Sequence, residues 1–215
     1  MSGGGTTGIA KKRVAVLISG RGSNMAALIE AAKAGDYPAE IALVLSNRPD
    51  AAGLARARQA GISTAIIDHT PFGDDREAFE RALDAQLRAH RIDLVCLAGF
   101  MRRLTPWLVT RWHGRILNIH PSLLPHFKGL DTHRRAIAAG VKEHGATVHF
   151  VVAELDAGPI VAQDRVSVRD GDTEEILAER VLEVEHRLYP QALRAVAEGR
   201  AYLACSGNAA AGGTE

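Results

Sequence analysis

Short, almost uninterrupted apolar runs alternate along this chain with amphipathic stretches, and Gly or Pro marks most of the junctions. Val14-Ala-Val-Leu-Ile-Ser19 is such a run, and it suits a strand buried on both faces of a parallel sheet. Ile41–Ser46, Thr64–Asp68 and Asp93–Ala98 repeat the pattern. Between them lie a helix from Met25 that ends at Gly35, a short helix over Ala51–Ala60 closed by Gly61, and a helix running to about Ala89. The last has Phe79, Leu83 and Leu87 four residues apart on one face, with Asp74 or Asp75 as its cap. A βαβαβαβ order predicts a mostly parallel sheet with right-handed crossovers.

The second part of the chain departs from that rhythm. A helix over Pro106–Trp112 precedes a strand at Ile116–His120, and Arg134–Ala139 reads as a helix ended by Gly140. Gly145–Val152 and Ile160–Val166 flank Glu154-Leu-Asp-Ala-Gly-Pro159, which predicts a hairpin and therefore a mixed sheet. Asp172-Thr-Glu-Glu caps a long helix through Leu188, followed by Pro190 and a further helical piece to about Gly199. The expected fold is α/β, a single-domain Rossmann-like three-layer sandwich with a mostly parallel mixed sheet and a late antiparallel hairpin.

Three polar or Gly-rich segments fall at carboxyl ends of predicted strands, where ligands bind in such sheets. Gly20-Arg-Gly-Ser-Asn24 joins the first strand to a helix, the local geometry that holds a phosphate on free N–H groups. It lacks the third glycine of a dinucleotide motif and the Lys-Ser/Thr of a P-loop, so a single phosphate is the expected ligand. A tight turn that binds nothing is the alternative. Ser23 or Asn24 is expected to cap the helix. Gly99-Phe-Met-Arg-Arg-Leu104 is unusually apolar for a loop, and its large side chains either line a pocket for a flat ring or pack beneath the next helix. In Leu117-Asn-Ile-His-Pro-Ser-Leu-Leu-Pro125, Asn118 and His120 share one face of a strand end, and two prolines stiffen the exit. An amide donor beside an imidazole is a reaction centre or, alternatively, a pair of buried polar groups satisfying nearby backbone. Asp156 is the best-placed carboxylate, or simply a turn former.

Charge and composition narrow the options. Lys and Arg number 26 against 25 acidic residues, so no general field draws the chain to nucleic acid or a membrane surface. Two cysteines, Cys96 and Cys205, have neither metal nor redox spacing, which points to a reducing cytoplasm. No signal peptide or 20-residue apolar span is expected from the pattern. Histidines at 120, 126, 133, 144 and 149 raise zinc as a rival, against which stands the absence of a ligand spacing such as H-E-x-x-H. A serine hydrolase would need a G-x-S-x-G elbow, which Gly20–Asn24 is not. What remains is an amide, an imidazole and a carboxylate without a protein nucleophile, a set suited to direct group transfer between two substrates.

These motifs, with Gly129-Leu-Asp-Thr-His133, Glu143-His-Gly-Ala-Thr-Val-His149 and Glu154-Leu-Asp-Ala-Gly-Pro-Ile160, resemble the phosphoribosylglycinamide formyltransferase family over about Arg13–Leu203. The Asn-x-His-Pro-Ser-Leu-Leu-Pro part is similar also to methionyl-tRNA formyltransferase and formyltetrahydrofolate hydrolase. The phosphate loop and the length favour the ribonucleotide enzyme.

The resemblance implies the formyltransferase fold, with 10-formyltetrahydrofolate as cosubstrate, no metal, and glycinamide ribonucleotide as acceptor in purine synthesis. It implies Asn118, His120 and Asp156 as the catalytic set. Gly22, Ser23, Asn24 and Glu185 would bind the ribonucleotide. Arg76, Met101, Arg102, Arg103, Leu104, Asn118 and Val151 would contact the folate. Thr147 and His149 would support the catalytic groups from behind. Arg103 departs from the family pattern, which has an apolar residue there, and bears on the rim of the folate pocket. The implied organisation is a tail over 1–11, a nucleotide-binding half at about 12–112, a folate and catalytic half at about 113–204, and a tail over 205–215. Small molecules, without nucleic acid or membrane, are the expected partners, and a monomer or weak homodimer the expected state.

Overall fold

A computed structural model describes residues 10–203. Of the tails expected at 1–11 and 205–215, residues 1–9 and all of 205–215, with Cys205, lie outside the described residues, as does residue 204. Seven strands form one sheet: β1 Lys12–Ile18, β2 Ala39–Ser46, β3 Thr64–Ile66, β4 Leu94–Leu97, β5 Ile116–His120, β6 Glu143–Phe150 and β7 Ile160–Ser167. Their order is β3-β2-β1-β4-β5-β6-β7. The first five are parallel, whereas β6 runs antiparallel to both β5 and β7. The mixed sheet expected from the pattern is therefore present.

Six α-helices cover the sheet: α1 Ser23–Ala32, α2 Gly53–Gln59, α3 Arg76–Ala89, α4 Pro106–Arg111, α5 Thr132–Ala138 and α6 Glu174–Ala197. Alternation along the strands divides the core in two. Val14, Val16 and Ile18 pack with α1, α2 and α6, while Ala15 and Leu17 pack with Phe79, Leu83 and Leu87 of α3 and Leu108 of α4. Each core excludes water from one sheet face, which leaves the carboxyl-end loops as the wet edge of the molecule.

Three details correct the reading of the sequence. The strand expected to reach Val152 ends at Phe150, so the connection between β6 and β7 is the longer segment 151–159, although the strands pair as a hairpin. Neither Ser23 nor Asn24 caps α1; the cap is Gly22, with no side-chain acceptor. And α6 runs through Pro190 without ending. Proline removes one helical N–H and crowds the preceding turn, but Leu188, Tyr189, Ala192 and Leu193 are all buried on either side of it. Docking of that continuous apolar face against the sheet outweighs the local cost. Asp75, by contrast, caps α3 as expected, accepting from Ala78 N at 2.9 Å.

Candidate active site

At the end of β5, Leu117 and Ile119 enter the core beneath α1 and α6, so Asn118 and His120 project to the other side. Register with β6 sets His149 opposite Asn118 and Thr147 opposite His120. Asp156 reaches the same point from the 151–159 segment, held in a left-handed backbone conformation with φ 48°. Its Oδ2 lies 3.5 Å from His120 Nδ1, and its Oδ1 lies 3.7 Å from His149 Nε2. These are ion-pair separations rather than hydrogen bonds. The Gly129 amide donates to Asp156 Oδ2 at 2.9 Å and fixes the carboxylate. His120 and Asp156 are 6% and 9% exposed, so water screens their interaction little.

Hydrogen bonds settle the roles of the two rings. His149 Nδ1 donates to Phe150 O at 2.9 Å, which leaves Nε2 to accept from Asn118 Nδ2 at 3.2 Å. Burial pushes His149 below its usual value, against the opposing pull of the Phe150 carbonyl and Asp156, and favours that neutral ring. Among the described residues the second amide hydrogen of Asn118 has no acceptor. His120 Nε2 donates to Phe127 O at 3.0 Å while Nδ1 faces the Asp156 carboxylate.

Thr147 holds the exit of β5. Its hydroxyl donates to Ser122 O at 2.6 Å and accepts from Leu124 N at 3.1 Å and Gln163 Nε2 at 2.8 Å. The remaining histidines divide. His133 and His144 stack edge to face at 5.2 Å, and burial pushes His144 down to about 4. His126 is exposed in the 121–131 loop. Among the described residues no three His, Cys, Asp or Glu side chains form a metal-binding group.

The Gly20–Asn24 turn sits further along the same edge. Gly22 is left-handed at φ 70°, and a Cβ there would lie 3.1 Å from Gly53 Cα. Gly53 N donates to Gly20 O at 3.0 Å, packing the α1 and α2 starts together. Asn24 Nδ2 donates to Glu185 Oε2 at 2.7 Å, and both residues are buried. Burial pushes the Glu185 carboxyl up to about 7, opposed by that hydrogen bond.

Loop 99–105 lies between the two clusters. Met101 is 70% exposed, Leu104 is buried, and Phe100 and Val151 pack on the α3–α4 core, so packing accounts for all but Met101. Its backbone is tied from outside. Met101 N donates to Ser19 Oγ at 2.8 Å, Arg76 donates to the carbonyl of Arg103, and Thr105 N donates to Glu80 Oε1 at 2.6 Å. Arg102 lies over the Phe79 ring at 5.8 Å, and Arg103 is exposed. Ser19, Glu80 and Gln163 went unremarked in the sequence. Only Glu80 carried a signal, as an acid beside Phe79 and one turn from Leu83 and Asp84 on the buried side of α3.

The sheet order and the Asn–His–Asp cluster at the carboxyl end of β5 are in keeping with the class that comparison with known proteins gives. The chain belongs to the formyl transferase family, whose model matches residues 12–193. It is 48% identical over 187 residues to the phosphoribosylglycinamide formyltransferase of Escherichia coli, covering 87% of this chain and 88% of that one. It is 52% identical over 189 residues to the trifunctional purine biosynthetic protein adenosine-3 of Gallus gallus, covering 88% of this chain but spanning only 19% of that protein. Among solved structures, glycinamide ribonucleotide transformylase 1 from Symbiobacterium toebii superposes with a TM-score of 0.87 at 48% identity, covering 92% of each chain. Phosphoribosylglycinamide formyltransferase from Brucella melitensis gives 0.83 at 53% identity, covering 87% of this chain and 96% of that one.

Proposed function

We propose that the chain transfers the formyl group of 10-formyltetrahydrofolate to the primary amine of glycinamide ribonucleotide, as a phosphoribosylglycinamide formyltransferase of purine biosynthesis. The observation that carries this reading is the convergence of Asn118, His120 and Asp156 beside a separate Gly22–Asn24–Glu185 cradle, within a chain nearly half identical to enzymes so named. The Gly22–Asn24 turn would hold the phosphate, and Glu185 would accept from the ribose hydroxyls. Met101–Leu104 with Val151 would receive the pterin, and Arg76 would serve the glutamate tail.

In the proposed reaction the amine nitrogen attacks the formyl carbon and its carbonyl becomes an oxyanion. The free N–H of Asn118 and an N–H of His120 donate to that oxygen. One such donor is worth about 2.7–4 kcal/mol of barrier. His120 gives its Nε2–H to Phe127 O in the structure, so that hydrogen bond has to pass to the oxyanion as charge develops. Asp156 stabilises the imidazolium through the opposite charge and relays the ammonium proton through water to N10 of the departing tetrahydrofolate. The C–N bond to N10 breaks, and formylglycinamide ribonucleotide and tetrahydrofolate leave. The folate cosubstrate supplies the one-carbon unit, and no step calls on a metal. The reducing cytoplasm expected from the cysteines suits this chemistry, and no helix of the described residues is long and apolar enough to cross a membrane.

The test is a transfer assay with glycinamide ribonucleotide and a 10-formyl-5,8-dideazafolate donor. Transfer that depends on the ribonucleotide, and that falls by about 10²–10⁴-fold in Asp156→Asn with ligand binding retained, supports the reading. Formate release indifferent to the ribonucleotide would make the protein a hydrolase, and binding of both ligands without turnover would make it a binding protein.

A further inference from the structure

Loop 99–105 has no regular secondary structure beyond the start of α4, and Gly99 is left-handed at φ 69°. Left to itself, such a segment would lose conformational entropy each time it met a ligand. Instead it is pinned at three alternate residues: the amide of Met101, the carbonyl of Arg103, and the amide of Thr105. The pins at the two ends come from buried side chains.

Glu80 is 1% exposed, and among the described residues it forms no ion pair. Both of its carboxyl oxygens accept from Thr105, one from the amide and one from the hydroxyl. Thr105 is the cap residue of α4, yet its side chain makes no cap hydrogen bond to its own helix. A buried acid without a cation and a cap residue turned outward both sacrifice local stability. What they secure is the path of the backbone from Arg103 into α4. Ser19 does the same at the other end. Its hydroxyl, at the close of β1, accepts from Met101 N and donates to Asn47 Oδ1 at 2.6 Å, and Asn47 is itself buried.

We propose that Ser19 and Glu80 are positioning residues for the formyl donor: they fix the backbone of residues 101–105 so that its N–H and C=O groups meet the hydrogen-bonding edge of a flat heterocycle without prior reordering. This rests on the reading of Met101–Leu104 as the donor-binding segment. Prepaid ordering of a loop appears as affinity for the ligand it serves. The ribonucleotide cradle and the catalytic cluster stand on other segments, so the effect falls on one substrate.

The experiment is steady-state kinetics of the full chain with both substrates varied, on Ser19→Ala, Glu80→Ala, Glu80→Gln and Thr105→Val, with direct titration of the dideazafolate donor. In Glu80→Ala the donor KM and dissociation constant rise about tenfold, as expected for a buried amide left without its acceptor. The ribonucleotide KM and kcat stay within about twofold, the spread of a substitution outside an interaction. Glu80→Gln keeps an acceptor for the Thr105 amide and recovers most of the loss. Thr105→Val removes only a half-buried hydroxyl, so it reports even where Glu80→Ala folds poorly. Ser19→Ala shows the same donor-selective rise. Both KM values rising together, or neither rising in an active Glu80→Ala enzyme, would overturn the positioning role. Failure of the wild type to transfer would overturn the donor reading instead.

Discussion

Asn24 and Glu185 stand 161 residues apart in the chain and meet through one buried hydrogen bond of 2.7 Å. The first turn of α1 and the middle of α6 are thereby locked together beside the Gly20–Asn24 turn. An amide N–H donor steadies the carboxylate, yet it does not offset burial, which still pushes Glu185 up to about 7.

That residual cost is measurable. The folded value is raised above the ordinary 4.5, so the folded state favours the protonated acid. Its stability contribution is complete below pH 4.5 and is lost as pH rises through about 7. Glu185→Gln is therefore expected to be more stable than wild type at pH 8, by up to about 3 kcal/mol, with the gap closing near pH 5. Urea denaturation at the two pH values checks this. The same variant should bind the ribonucleotide more weakly at pH 8, since an amide replaces a carboxylate acceptor.

Asn118 and His149 are expected to act as a unit. In the proposed mechanism Asn118→Ala removes an oxyanion donor and should lower kcat about 10²–10³-fold. His149→Phe leaves the donor present but unaimed, and should cost less. The double variant should be no worse than Asn118→Ala alone, because the ring works through the amide. Multiplying costs in the double variant would show that His149 acts separately.

Gly158 reports on the segment that carries Asp156. A Cβ there would fall 1.8 Å from the Phe150 carbonyl oxygen. Gly158→Ala should lower stability by about 1–3 kcal/mol through overpacking and displace Asp156. Gly35→Ala, at a glycine with nothing within 4 Å of its added methyl, is the control and should be near neutral. Thermal denaturation of the two separates backbone crowding from a general intolerance of side chains.

His144 gives an acid limb to folding. Burial and the neighbouring His133 push it down to about 4, so it contributes stability above 6.5 that is lost as pH falls through about 4. His144→Leu should flatten the pH dependence of stability between those limits. An unchanged slope would assign that limb to other groups.

Periodicity carried most of the fold into view because both sheet faces are covered: β1, β4 and most of β2 are apolar runs, and the long helices α3 and α6 show a buried stripe. Pro190 misled for a physical reason, since a local rule was outweighed by packing of Leu188, Tyr189, Ala192 and Leu193 that no local pattern reveals. In the site, Asn118 and His120 were legible from spacing alone, as two polar residues sharing a face at a strand end. The roles proposed for Asp156 and Glu185 rest on resemblance, because their neighbours come from distant segments. Ser19 and Gln163 stayed hidden, since a buried serine or an edge-strand glutamine looks like any other until its hydrogen-bond partners are placed.

Both margins of the sheet are guarded against further strands. At one margin β3 has only three residues. At the other, β7 runs Ile-Val-Ala-Gln-Asp-Arg-Val-Ser, with Asp164 and Arg165 exposed where another backbone would have to approach. Short, charged margins of this kind resist edge-to-edge aggregation. The protein can therefore keep a rigid, largely parallel sheet at high concentration without that scaffold becoming a template for fibre growth.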